Sequence, residues 1–324
     1  MQNDFGTQDL PYRVGGLLYT PALNDGIAEK IVRHAIKGLT SLALCLEDSI
    51  SDDSLDKAEQ QLIITLEKLK ESEAELPLLF VRVRNAEHLA RIHALLGEAE
   101  SILTGYVLPK FDLTNCETYC RLIRAYNKGR TNRLYIMPIL ESKTVADIGS
   151  RADTLWAIKR CLDAAHDYIL NVRVGGNDFS NLYGLRRKET QNIYQIGVIR
   201  DILVNIINVF AADYVVSGPV WEYFGEDDTQ PWADGLRKEI ELDQLNGFIG
   251  KTAVHPSQLP VIYESLKVRK CDYDDAASIA HWSVNGLAVA KSPDGKRMNE
   301  VKCHLKWAER VLTLAGIYGV RDEE

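Results

Sequence analysis

Leu134-Tyr-Ile-Met-Pro-Ile-Leu-Glu141 is an apolar run closed by an acid. A run of strand length without polar alternation is covered on both faces, as in a parallel sheet wrapped by helices. An acid at its C-terminal end stands where a parallel barrel opens to solvent. The same form recurs in Tyr168-Ile-Leu-Asn-Val-Arg-Val-Gly-Gly-Asn-Asp178. Carboxylates from neighbouring strand ends can hold one hard divalent cation, with water and substrate oxygens filling the other positions. Glu141 and Asp178 are therefore candidate ligands for Mg²⁺, with Mn²⁺ as an alternative. Taken singly, each also reads as a surface acid at a loop start.

Outward from these two runs, strand-like and helical stretches alternate. The strand candidates are Leu17–Pro21, Ser41–Glu47, Leu78–Arg84, Tyr106–Lys110, Leu134–Glu141, Tyr168–Val174, Tyr214–Val220 and Gly250–His255. Amphipathic stretches such as Ile27–Lys37, Ser54–Lys70 and Thr114–Asn127 lie between them. Asp52, Asp53 and Ser54 are N-cap candidates for the second of these, and Thr114 for the third. Eightfold alternation argues for an α/β fold of the (β/α)₈ TIM-barrel type over an open doubly wound sheet. No GxGxxG follows the first strand and no GxxxxGK[ST] occurs, so neither dinucleotide nor P-loop binding has support.

The rhythm breaks after about Leu266. Asp272–Leu287 reads as helical, Lys291-Ser-Pro-Asp-Gly-Lys296 as a turn, and Val301–Ala315 as a final amphipathic helix. The expected organisation is a catalytic barrel over residues 1–265 and a C-terminal helical appendage over 266–324, serving as a lid or oligomerisation segment. Glu222–Gly235, flanked and crossed by Trp221 and Trp232, reads as a long loop at the barrel mouth.

Bulk properties narrow the function. The chain has 324 residues, 46% hydrophobic and 26% charged, as expected of a globular enzyme able to bury a core. A formal net charge of −8 without a long Lys/Arg run argues against nucleic acid or an anionic membrane as partner. No apolar stretch approaches the ~20 residues of a membrane span. Met1–Asp9 has neither the basic nor the apolar region of a signal peptide, so a cytoplasmic location is expected. The six cysteines are scattered and contain no CxxC pair. Cys116 and Cys120 are spaced one helical turn apart, which in a reducing compartment points to packing before redox chemistry.

Arg82 and Arg84 alternate with Val81 and Val83, so period two sends both arginines to one face. A buried strand seldom carries two arginines without an anionic partner. That partner is either an acid inside the barrel or a substrate carboxylate gripped in a guanidinium fork. Glu47 and Asp48 close the second strand. One of them is a candidate to hydrogen-bond substrate or cation-bound water, and Asp48 alternatively caps the next helix. Lys110 ends the fourth strand, placed to neutralise substrate charge or to pair with Glu47 or Glu141. His255, before Pro256, reads as a structural histidine at a turn.

Six motifs in order now resemble a known family: Leu46-Glu-Asp48, Val81-Arg-Val83, Leu108-Pro-Lys110, Ile139-Leu-Glu141, Gly175-Gly-Asn-Asp178 and Gly250-Lys-Thr-Ala-Val-His-Pro-Ser-Gln258. They look like the citrate lyase β-subunit and malyl-CoA lyase group of the HpcH/HpaI aldolase superfamily. The nearest likeness is to the C–C bond lyase proteins of bacterial tellurite-resistance and stress gene clusters. The resemblance runs from Leu17 to about Leu312. It implies a homo-oligomeric TIM barrel, commonly a trimer or hexamer, with Mg²⁺ held by Glu141 and Asp178. It implies that Arg82 binds the carboxylate of a 2-oxo acid such as oxaloacetate, pyruvate or glyoxylate, with an acyl thioester as a further partner. The implied chemistry is reversible aldol or Claisen cleavage. Together with the reading of the residues above, Arg82 and Glu47 are the candidate catalytic residues, and Arg82, Arg84, Asp48 and Lys110 the candidate substrate-binding ones.

The chain also departs from the family pattern. Cys45 stands where an Asp is usual, Arg84 takes the place of an Asn, and Pro21-Ala-Leu-Asn-Asp25 lacks the basic residue that follows strand one. Gly295-Lys-Arg-Met-Asn299 ends in Asn where the lid motif of the lyases ends in an acid. Asn does not exchange a proton as a carboxylate does. Three readings stand at this point: a Mg²⁺-dependent C–C lyase or aldolase, a non-lyase enzyme on the same metal platform, and a catalytically reduced binding subunit of a stress-related biosynthetic complex.

Overall fold

The computed structural model describes residues 8–282 and 286–322. In chain order the elements are α1 (Leu10–Arg13), β1 (Gly16–Pro21), α2 (Ile27–Val32), β2 (Ser41–Cys45), α3 (Leu55–Glu71), β3 (Leu78–Arg82), α4 (Ala86–Leu96), β4 (Gly105–Leu108), α5 (Cys116–Tyr126) and β5 (Tyr135–Leu140). The chain continues through α6 (Lys143–Ala146), α7 (Arg151–Asp163), β6 (Val172–Val174), α8 (Gly176–Leu182), α9 (Gly197–Phe210), β7 (Val216–Ser217), α10 (Pro231–Leu245), β8 (Lys251–Ala253) and α11 (Gln258–Leu266).

All eight expected strands form. They lie in one parallel sheet of order β7-β6-β5-β4-β3-β2-β1-β8. A parallel bridge from Gly218 to Lys251 joins the two ends, and Gly218 N–H donates to Gly250 O at 3.0 Å. The sheet thereby closes into a TIM barrel. Gly250 sits at φ +75°, and a Cβ there would meet the Gly15 carbonyl oxygen at 2.4 Å, so the closure admits only glycine.

The strands are short and apolar because helices cover them outside. Every residue of β2 and of β4 is buried. In α3 the buried Ala58, Leu62, Leu66 and Leu69 recur at three- and four-residue spacing, giving one inward face. A buried ion cluster fastens α10 to the closing strand: Lys251 Nζ lies 2.6 Å from Asp243 and 3.0 Å from Glu239, and Arg187 lies 3.3 Å from Glu239. Removing one partner of such a cluster typically costs about 3–5 kcal/mol, because the others stay buried and charged.

Some local expectations need correction. The long loop after β7 ends at Gln230, since Pro231 starts α10 and Trp232 and Gly235 are helical; proline suits a first helical turn, where its missing N–H is no loss. Asn115, not Thr114, precedes α5, and Thr114 bonds Asp112 instead.

The chain divides into two compact units, one of residues 14–262 and one of residues up to 13 together with 263 onward. The N-terminal residues, expected with the barrel segment, thus fall in the second unit. That unit adds β9 (Val268–Arg269), α12 (Lys270–Ala280), β10 (Val289–Lys291), β11 (Met298–Glu300), α13 (Val301–Tyr318) and β12 (Val320–Arg321). The helix expected over Asp272–Leu287 stops at Ala280, and residues 283–285 of that range lie outside the described residues, as does most of the Met1–Asp9 stretch. The expected turn at Lys291–Lys296 links β10 and β11 as an antiparallel hairpin. α12 and α13 pack through Ala276, Ile279, Ala308 and Val311. In this unit Asn299 is 3% exposed and donates to Asp275 Oδ1 at 3.1 Å, while Arg297 holds the other Asp275 oxygen.

Candidate active site

β3 ends at Arg82, which turns its side chain toward the ends of β2 and β5. Arg82 Nη2 lies 2.8 Å from Glu47 Oε2, 3.1 Å from Asp48 Oδ2 and 3.9 Å from Glu141 Oε1. Its Nε is buried without a partner. Lys110, after β4, completes the group: its Nζ lies 2.7 Å from Glu47 Oε1, and its backbone N–H donates to Glu141 Oε1 at 2.7 Å. Five of the seven residues singled out by sequence thus meet in one polar cluster.

The electrostatics separate the acids. Burial, reinforced by the charge of Asp178, pushes Glu141 up to about 8. Burial also raises Glu47, against the pull of Arg82 and Lys110. Burial works the same way on Asp48, but hydrogen bonding with Glu47 and the charges of Arg82 and Lys110 hold it below the usual carboxylate range. Lys110 is raised by its bond to Glu47. A carboxyl raised in this manner holds its proton near neutral pH unless a cation stabilises its charged form.

Asp178 lies in the first turn of α8, one residue beyond the Gly175-Gly176 pair. A Cβ at Gly175 would sit 2.3 Å from both Cβ and Oε2 of Glu141, so the glycine makes room for that carboxyl. The donor set fits a hard cation: two carboxylates, one of them raised first by its burial and then by the other's charge. Among the described residues no group of three His, Cys, Asp or Glu side chains is arranged as a metal site. A cation at this pair therefore needs water or substrate oxygens for most of its six positions.

Arg84 does not join the cluster. The strand stops two residues earlier, and Arg84 donates to Leu46 O at 2.8 Å and Ile50 O at 2.6 Å and pairs with Asp52. It ties down the loop after β2. Asp48 does not cap a helix; it accepts from Arg82. His255 is held by Ser257 at 2.8 Å and stacked on Phe224, in keeping with a structural histidine.

Two residues that sequence reasoning passed over also face the interior. Tyr19 of β1 lies under the Arg82 guanidinium, 5.3 Å from ring centroid to Cζ. Arg173 of β6 is 1% exposed and donates to Thr252 Oγ1 on β8 at 2.7 Å. The signal for Arg173 was present: it is a lone cation inside an apolar strand run, Val172-Arg-Val174.

A closed parallel barrel with acids, an arginine and a lysine gathered at its strand ends defines a (β/α)₈ enzyme-type scaffold whose polar site lies at the C-terminal face. The chain belongs to the C–C bond lyase family of the TIM-barrel fold, whose model matches residues 8–320. No curated protein matches it. Among solved structures it is similar to the CitE protein of Mycobacterium tuberculosis in complex with magnesium, acetoacetate and coenzyme A, at 20% identity over 94% of this chain and 99% of that one, with a TM-score of 0.62. It is also similar to RipC of Yersinia pestis, at 20% identity over 79% of this chain and 95% of that one, with a TM-score of 0.54. At such identities the likeness concerns the fold.

Proposed function

We propose that this protein is a Mg²⁺-dependent carbon–carbon lyase or aldolase acting on a small 2-oxo-acid unit of the oxaloacetate, pyruvate or glyoxylate type. The observation that carries the reading is Glu141: a buried carboxyl raised to about 8 by its surroundings and by Asp178, beside the cation of Arg82. Glu141 and Asp178 would hold the cation, Mg²⁺ or Mn²⁺. When bound, it would supply charge stabilisation to the carboxylate and neighbouring oxygen of the substrate. Arg82 has a buried, unpartnered Nε with which to meet a substrate carboxylate. Glu47, raised by burial and held by Arg82 and Lys110, is the acid placed to carry a proton at its Oε atoms. The magnesium, acetoacetate and coenzyme A in the Mycobacterium CitE complex support this class of ligand. The C-terminal segment would serve as lid or assembly element of a homo-oligomer.

Classical citryl-CoA or malyl-CoA cleavage is expected to be weak. Asn299, in the place of the lid acid, is buried and spent on Asp275. This favours an unusual second substrate, or non-lyase chemistry on the same platform. The test is ligand linkage: Mg²⁺ with oxaloacetate or pyruvate should raise Tm in wild type but not in Glu141→Gln. No shift in wild type with any 2-oxo acid would overturn the proposal.

A further inference from the structure

Cys120 and Cys161 meet between two helices that cover the barrel. Cys120 lies on α5 and Cys161 near the end of α7, and the two helices pack side by side. Cys161 Sγ lies 3.6 Å from Cys120 Sγ, and Cys120 Sγ lies 3.6 Å from the Cys161 carbonyl oxygen. Arg124 ties the two helices together at this point. Its Nε donates to Cys120 O at 3.1 Å, and its Nη1 donates to Ala164 O at 3.2 Å. The backbones that carry the two thiols are thus joined by bonds in which neither sulfur takes part.

The surroundings distinguish the sulfurs. Cys120 is 1% exposed, whereas Cys161 is part-exposed. The bond from Cys161 holds Cys120 below the usual thiol range, against its burial. Against the pull of nearby Cys116, the bond to Cys120 and burial push Cys161 up to about 12. Exposure makes Cys161 the point of entry for an oxidant, and thiolate character makes Cys120 the sulfur that completes a bond. Two thiols in contact are ordinary packing when both are sealed from solvent. Here one is open and the frame around the pair is fixed.

We propose that Cys120 and Cys161 form a reversible disulfide, a modification site on the outer wall of the barrel. The sulfurs of a disulfide stand about 2.0 Å apart, so side-chain rotation closes the remaining gap while Arg124 keeps the helices in place. The oxidant is hydrogen peroxide. The Cys161 thiolate attacks one peroxide oxygen, the O–O bond breaks, and the departing hydroxide takes up a proton as water. The Cys120 thiolate then attacks the sulfenic sulfur of Cys161, and a second hydroxide leaves and is protonated. Two thiols and one peroxide become one disulfide and two waters, with two electrons passing from sulfur to oxygen. The raised Cys161 thiol makes the first step slow, as suits a site that answers sustained oxidation. The bond closes a span of 41 positions that carries β5 and Glu141. It constrains the unfolded chain and so stabilises that wall. The modification does not depend on the 2-oxo-acid chemistry.

The experiment treats the folded wild type with hydrogen peroxide, alkylates the remaining thiols, and maps the peptides by mass spectrometry. Two of the six cysteines should escape alkylation, in one peptide pair cross-linked through Cys120 and Cys161, and a dithiol reductant should restore both. Tm should rise on oxidation and return on reduction. Cys116→Ser should keep the cross-link. Cys120→Ser should lose it and leave Cys161 as a sulfenic acid that a dimedone-type reagent traps. Alkylation of all six cysteines after peroxide, or cross-links that run through Cys116 or between chains at Cys303, would overturn the assignment and leave the pair as packing. A lower Tm in the cross-linked protein would overturn the stabilising role. The wild-type peptide map decides the assignment even if the variants do not fold.

Discussion

The backbone N–H of Lys110 donates to Glu141 Oε1 at 2.7 Å while the Lys110 side chain turns to Glu47. One residue thus engages both acids, from two different atoms. The backbone adopts φ +49° to do so, a left-handed conformation that costs a non-glycine residue about 1–2 kcal/mol. Strain of this kind persists where the surroundings over-determine it, and here it aims a donor at the candidate metal ligand.

Glu141 sets a pH dependence with a definite sign. Its value rises from 4.5 to about 8 in the folded protein, so the folded state holds the proton more tightly than the unfolded one. The associated stability is full below the unfolded value and is lost as pH climbs toward about 8. Metal-free wild type should therefore lose thermal stability from about pH 5 to pH 8, and Glu141→Gln should flatten that slope. Equal slopes in thermal scans of the two proteins would show that Glu141 is not perturbed.

Arg82→Lys tests the anion grip. Lysine keeps the charge but loses the planar fork that meets Glu47, Asp48 and a substrate carboxylate. Oxaloacetate affinity with Mg²⁺ should fall by about tenfold or more, measured by calorimetry. Unchanged affinity would assign Arg82 to the internal ion cluster alone.

His88 should make the fold acid-sensitive. It accepts a hydrogen bond from Arg84 N–H at Nδ1, so its Nε2 carries the proton that faces Glu59 at 3.1 Å. Burial holds its protonation below the usual histidine range, against the pull of Glu59. Because the folded value is depressed, stability is present above the unfolded value of about 6.5 and is lost as pH falls below it. His88→Gln should reduce the loss of Tm between about pH 6.5 and 5. An unaltered acid limb in the variant would remove His88 from the account.

Asn299→Asp should destabilise the C-terminal unit. The new carboxylate would face Asp275 Oδ1, which now accepts from the Asn299 amide at 3.1 Å. Loss of a buried hydrogen bond with a like charge in its place should cost about 1–3 kcal/mol near neutral pH. We expect a lower Tm and no gain of citryl-CoA or malyl-CoA cleavage. A stable variant with new cleavage activity would restore position 299 as a lid acid.

Much of the barrel was legible because its physics is local. An apolar run flanked by turn residues declares a buried strand, and eight such runs in alternation leave few closed arrangements. The acids at Glu47 and Glu141 and the cation at Lys110 were legible for the same reason, since each directly ends such a run. Arg84 lies apart from the cluster because period two holds only while the strand lasts, and β3 stops at Arg82. The loop after β2 then offers Arg84 two carbonyls that no pattern along β3 records.

The sequence by itself determined the strand count, the order of the motifs and the residue types available at each strand end, because hydrophobic burial and side-chain chemistry are written residue by residue. Only the tertiary structure decided which of those residues meet. Closure of the barrel brings Arg173 of β6 to Thr252 of β8, and Lys110 to Glu47 across 63 positions of chain. It also places Asn299 against Asp275, which makes that asparagine a packed residue of the C-terminal unit. Such partners are set by the three-dimensional path of the backbone and by the low dielectric it creates, and neither quantity exists until the chain has folded.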